Sequence, residues 1–237
     1  MILSIAQPAY LPWPGYFDRI MASDVHVVLD HVQLDKNSTT KFTNRNKIKT
    51  PQGETWLTIP ILTKGHQNEL SINKLEVVCD GWQEKHLRTI QNFYSKAACF
   101  GQFQEHLARY YQQRLFTKLI EPLREGLALF CRLLNISTPL HYSSEMNCVC
   151  KKSDLILEIC QKLGATTYIS GPFGRDYLER EKFEAAGIKI LFHEYEYIPY
   201  PQRFGSFLPG LSTIDMLLNI GEEAITHIPK GRKLLPC

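Results

Sequence analysis

The chain lacks most of the short signatures that assign chemistry at sight. It has no G-x-S-x-G elbow, which argues against serine hydrolase chemistry. Its eight histidines form neither HxH nor HExxH spacing, and no two cysteines make a CxxC pair. Cys148 and Cys150 are too close for a usual zinc knuckle, so no metal site is expected. GxGxxG and Walker A loops are both missing, which removes the two commonest phosphate-binding motifs. No apolar run approaches the roughly 20 residues that span a bilayer. The start lacks the basic residues and long apolar core of a secretory signal, and a cytoplasmic protein is expected. Charge excess is small: 27 basic against 24 acidic residues leave +3, so nucleic acid is not an expected partner. Internal repeats and low-complexity segments are absent as well. The seven cysteines are read as reduced thiols, most of them small core residues.

What is present suits a soluble globular protein: 44% hydrophobic and 22% charged residues in a chain of 237. That length can bury a sizeable core. Residues 1–6 form a short apolar run, followed by a loop with Pro8, Pro12, Pro14 and Gly15. Residues 18–22 have helical character, and residues 25–29, between Asp24 and Asp30, read as a second buried strand. Strand, rigid loop, helix, strand is how an open α/β sheet begins, and ligands in such sheets sit outside the carboxyl ends of the strands.

Residues 37–46 are polar and basic and read as a loop or irregular arm. Residues 55–59 look like a strand, and residues 70–79 like another strand or hairpin arm. Between residues 82 and 134 the apolar spacing turns helical in three successive faces, with Asn135 as the stop. Ser153 and Asp154 are suited to cap a helix ending before Gly164. Residues 166–170 and 188–192 read as strands joined by a helix closed by Gly187, and Ser212 caps a last helix. The expected fold is α/β: a mostly parallel open sheet with a central helical block, as one domain over residues 1–237 with an insertion at about 82–134.

Two strand-to-helix loops are candidate anion seats: Gln7-Pro8-Ala9-Tyr10 and Ser170-Gly171-Pro172-Phe173-Gly174. Backbone N–H groups in such loops can face an anion, although the glycines equally serve tight turns. Arg45, flanked by Asn44 and Asn46, can hold a phosphate or carboxylate through two parallel hydrogen bonds, and is otherwise part of a solvated basic loop. His26 reads as structural. His31, after Asp30 at a strand end, is the better placed histidine for catalysis. Glu194 and Glu196 share one face of a strand, with Tyr195 and Tyr197 on the other. Trp82, Tyr94 and Tyr110 read as packing residues.

Five segments together resemble the WbqC-like family: residues 5–17, residues 28–33, residues 44–48, residues 168–178, and Tyr200-Pro201-Gln202 with residues 207–217. The resemblance implies a bacterial cytosolic protein linked to O-antigen and other surface-polysaccharide biosynthesis. It also implies modification of an amino sugar by an amino acid or acyl group. The chain departs from a common family form in having Gly171-Pro172-Phe173-Gly174 where a Gly-Gly pair occurs. The opening unit further resembles nucleotidyltransferase-type α/β folds, with Trp13-Pro14-Gly15-Tyr16 in place of paired histidines.

The expected function is transfer of an acyl or aminoacyl group to an amino sugar, with a nucleotide-sugar as substrate. Asp30 or His31 is the expected base. Gln7, Tyr10, Asn44, Arg45, Asn46, Ser170, Gly171, Gly174 and Gln202 are the expected substrate contacts. The alternatives are a non-catalytic nucleotide-sugar or glycan-binding protein and a nucleotidyltransferase-like enzyme. No cofactor is specified.

Overall fold

The computed structural model describes residues 1–34, 42–62 and 71–237. In chain order its strands are β1 (Ile2–Ala6), β2 (Val25–Val28), β3 (Arg45–Thr50), β4 (Gly53–Thr58), β5 (Leu140–Tyr142), β6 (Thr167–Ser170), β7 (Lys189–Tyr195) and β8 (Arg232–Pro236). Its helices are α1 (Pro14–Met21), α2 (Trp82–Tyr94), α3 (Phe100–Gln112), α4 (Ile120–Leu133), α5 (Lys152–Lys162), α6 (Arg180–Ala185), α7 (Thr213–Ile220) and α8 (Glu223–His227).

Six strands form one sheet in the order β5-β2-β1-β6-β7-β8, parallel except for β8, which pairs antiparallel with β7. The expected α/β class and mostly parallel sheet are therefore observed. The period of two along each strand divides the interior. Leu3, Ile5 and Val27 join α5 and α6 in one core, with Tyr168, Ile190 and Phe192. Val28, on the opposite face, joins a second core built from α1, the three helices α2–α4 and α7. Phe17 of α1 stacks on Phe130 of α4 at 5.6 Å. The helical block thus shares a core with α1 and α7. Asn135 stops α4 in the left-handed region at φ 53°.

Four expectations change. Residues 37–41 of the supposed arm lie outside the described residues, but Arg45 and Asn46 are strand residues. They open β3, which pairs antiparallel with β4 and buries Asn46, Ile48 and Thr50. Residues 71–79 make no continuous strand. Their bridges go to three different partners (Gln33, Ile61 and Lys118), and Ile72–Lys74 is a 3₁₀ turn. Ser153 does not cap α5; Lys151 precedes the helix, and Ser153 Oγ accepts from the Glu179 N–H instead. Only Cys131 and Cys160 of the seven thiols are buried, while Cys79, Cys150 and Cys237 are exposed.

Chain order sets the next feature. The segment after β1 runs outward to β2 and β5, whereas β6 returns to the other side of β1 and leads on to β7. Strand order therefore reverses between β1 and β6. At such a switch point the loops leaving two adjacent strands diverge and leave a crevice.

Candidate functional site

A cleft of about 570 Å³ opens at the carboxyl ends of β1, β6 and β7. Gln7 and Pro8 wall it after β1, and Ser170, Gly171, Pro172, Phe173 and Gly174 wall it after β6. The two loops selected from the sequence thus meet across one hollow. Aromatic rings supply much of the remaining surface: Trp13, Tyr16, Tyr168, Tyr177, Tyr195 and Tyr197. Phe173 and Tyr177 stand at the rim, 65% and 47% exposed.

The first loop is pinned from several sides. The Tyr10 N–H donates to the Phe42 carbonyl, the Thr213 N–H donates to the Pro12 carbonyl, and Asn46 Nδ2 donates to the Leu11 carbonyl at 2.6 Å. Tyr16 Oη donates to the Gln7 carbonyl at 3.2 Å. Pro14 then begins α1, where its missing N–H costs nothing and its φ is already helical. The second loop depends on two close approaches. A Cβ on Gly174 would lie 2.0 Å from Ser170 Oγ, and one on Gly171 would lie 2.6 Å from an Arg19 guanidinium nitrogen.

The chemically distinctive group is His193, on the cleft face of β7. Its Nε2 lies 2.6 Å from Asp18 Oδ2, and both side chains are buried. Arg232 of β8 holds the other carboxylate oxygen of Asp18, with Nη2 at 2.8 Å and Nε donating at 3.0 Å. Tyr195 stacks on the imidazole with planes 21° apart. Donating Nε2–H to the carboxylate leaves Nδ1 as the basic nitrogen, and Nδ1 has no hydrogen-bond partner among the described residues. An oriented histidine beside a hollow is equipped to take a proton from a bound nucleophile.

Among the described residues two cations reach the cleft, Arg19 from α1 and Lys47 from β3. Lys47 is paired with Glu54 at 2.6 Å. Burial raises the phenol pKa values of Tyr16, Tyr168 and Tyr177, and all three stay raised although the Arg19 charge offsets part of the rise.

The remaining candidates lie elsewhere. Arg45 stacks over the Trp56 ring at 4.3 Å and is not among the residues lining the cleft; Lys47, two positions on, is. Asn44 Nδ2 donates to the Ile59 carbonyl. Asn46 is fully buried and serves the Leu11 loop. Tyr10 is a core residue whose hydroxyl lies 2.8 Å from His86 Nδ1 and 2.6 Å from the Tyr111 hydroxyl. Gln202 accepts from Lys49 Nζ and from the Leu208 N–H, locking its own loop. Glu194 and Glu196 are not among the residues lining the cleft and are paired with Arg175 and Lys233.

Asp30 and His31 sit beyond β2 on the same edge of the sheet, outside the cleft lining. The fully buried Asp30 carboxylate accepts from Ser143 Oγ, Ser144 N, Ser144 Oγ and Arg124. His31 Nδ1 lies 2.7 Å from Ser143 Oγ. A carboxylate accepting four hydrogen bonds has little lone-pair capacity left for a substrate proton. Replacing Asp30 with Ala is expected to cost roughly 3 kcal/mol of stability, because Arg124 and two serines lose their acceptor. Chemical denaturation measures it; an unchanged midpoint would contradict this structural role.

Sequence reading missed Asp18, Arg19, His193 and Arg232. The one available signal was His193, Tyr195 and Tyr197 on one face of a strand pointing at a ligand edge. Among the described residues no group of His, Cys, Asp and Glu is placed to hold a metal, and no helix is long and apolar enough to cross a membrane.

Comparison with known proteins agrees over almost the whole chain. The model of the WbqC-like protein family matches residues 7–227. The chain is 35% identical over 229 residues to a protein of Mycobacterium tuberculosis (strain ATCC 25618 / H37Rv) named Uncharacterized protein Rv1507c, covering 95% of this chain and 96% of that one. No solved structure matches the chain.

Proposed function

Because the chain belongs to the WbqC-like protein family, we propose that it is a cytoplasmic enzyme of surface-polysaccharide biosynthesis. In this reading it transfers an acyl or aminoacyl group to the amine of a nucleotide-linked amino sugar. The observation that carries the reading is the Asp18–His193 pair facing an aromatic cleft at the β1/β6 switch point.

Each part of the cleft has a role in that chemistry. The tyrosines and Trp13 offer flat apolar faces with polar rims, which suit sugar rings. In the transfer step the amine nitrogen attacks the activated acyl carbon. Its proton passes to His193 Nδ1, and the donor's leaving group departs with the electron pair of the broken bond. Asp18 stabilises the imidazolium that forms, and Arg232 keeps that carboxylate in place. His193 takes the proton role in preference to Asp30 or His31 because it faces the hollow. Gln7, Ser170, Gly171 and Gly174 remain the proposed substrate contacts.

The test is direct. The protein is incubated with nucleotide-linked amino sugars and either acyl thioesters or amino acids with ATP, and products are read by mass spectrometry. A mass gain matching one new amide is expected. Binding without product in every mixture would sink the transfer reading in favour of an accessory glycan- or nucleotide-sugar-binding role. Mg²⁺-dependent pyrophosphate release with no amide would favour nucleotidyl transfer.

A further inference from the structure

Arg19 stands apart from the other arginines of this cleft region. Arg175 is paired with Glu194, and Arg232 with Asp18. The Arg19 guanidinium has neither a carboxylate nor a hydrogen-bond acceptor among the described residues, and its Nε is buried with no partner. The adjacent carboxylate, Asp18, is already engaged by His193 and Arg232. The nearest ring, Tyr16, has its centroid 6.0 Å away, at the outer limit of a cation–π contact.

A buried polar group without a partner costs free energy, and a charged one costs more. The fold nevertheless makes room for this one. The guanidinium packs so closely on Gly171 that a methyl group there would overlap it, with 2.6 Å between them. Gly171 has φ −71°, an ordinary value for any residue, so a larger side chain there is opposed only by the guanidinium, which would have to shift out of its seat. Both groups line the cleft.

We propose that Arg19, seated against Gly171, binds an oxyanion of the ligand, either a phosphate of a nucleotide-linked substrate or the carboxylate of an acyl donor. The seat deepens the transfer reading and rests on it only for the identity of the cleft. A guanidinium presents parallel N–H donors to two oxygens of either group, and the two Nη atoms, which have no acceptor among the described residues, are the donors that meet a bound anion.

Isothermal titration with three probes tests the seat: inorganic pyrophosphate, uridine 5′-diphosphate and acetate. Wild type is expected to bind at least one. Pyrophosphate or the nucleotide identifies a phosphate seat, and acetate alone a carboxylate seat. Arg19→Gln is expected to weaken that binding at least tenfold while leaving the melting temperature unchanged or higher, since it removes an uncompensated charge. Gly171→Ala keeps the charge but displaces it, and is expected to weaken binding at least threefold in a folded protein. Arg19→Lys restores part of the loss. Failure of all three probes to bind wild type, or wild-type binding by Arg19→Gln, overturns the proposal. So does a lower melting temperature with unchanged affinity, which assigns Arg19 to the fold. Binding is read without turnover, so Arg19-dependent binding with no amide product leaves the seat standing while the transfer reading falls.

Discussion

Replacing His193 with Gln is expected to lower amide-forming turnover by about 10²- to 10⁴-fold, the usual worth of a positioned general base. Among the described residues the imidazole is the only histidine in the cleft lining. Gln carries its amide nitrogen about where the imidazole Nε2 met Asp18, so it keeps that donor but has no basic nitrogen. Affinity for the nucleotide-sugar should change little, because the loss falls on the transition state and not on ground-state binding. The fold should survive, since Arg232 still holds Asp18 Oδ1 at 2.8–3.0 Å. The measurements are initial rates by mass spectrometry and affinity by calorimetry on the same preparation. Wild-type turnover in this variant would remove His193 from the chemistry. An equal fall in affinity would reassign it to binding.

The second large effect is on stability in acid. His26 is fully buried, with Nδ1 2.7 Å from Ser4 Oγ and no partner for Nε2, and burial pushes its pKa down to about 3. His86, bonded to Tyr10 on the same side of the sheet, is pushed down to about 4, again by burial. In the unfolded chain both imidazoles take up a proton near pH 6.5, about the free value. Between that pH and the folded values the unfolded state binds more protons. Stability is therefore fully present above about pH 6.5 and falls as the pH drops, by about 1.4 kcal/mol per pH unit for each imidazole. By pH 5 the pair costs about 4 kcal/mol, a large share of the 5–15 kcal/mol typical of a folded domain. Urea unfolding at pH 7, 6 and 5 should show this slope, and His86→Gln should roughly halve it. A flat profile from pH 7 to 5 would contradict the burial of these rings.

Local patterns in the sequence carried much of the architecture. The three helical faces between residues 82 and 134 appear as α2, α3 and α4, because a 3.6-residue apolar period has one way to bury its stripe. Gly164 and Gly187 close α5 and α6 with φ of 68° and 70°, as glycine after a helix does. β1, β2, β6 and β7 were legible from short apolar runs between turn signals. Of the expected substrate contacts, Gln7 and Gly171 line one cleft, whereas Arg45 stacks on Trp56 outside its lining. That failure is one of position along the strand: Arg45 and Lys47 share one face of β3 over Trp56, but only Lys47 reaches the hollow.

The dyad was beyond local reading. Asp18 lies on a short helix and His193 on a strand 175 residues later, and no spacing rule links them. By itself the sequence determined the periodic elements, the α/β class and the family, because each follows from contacts between near neighbours or from motifs in series. The tertiary structure alone decided which charged and aromatic side chains share a hollow. That depends on strand order, on β6 returning beside β1, and on which buried carboxylate each cation reaches, and these are matters of distance in space that chain position does not encode.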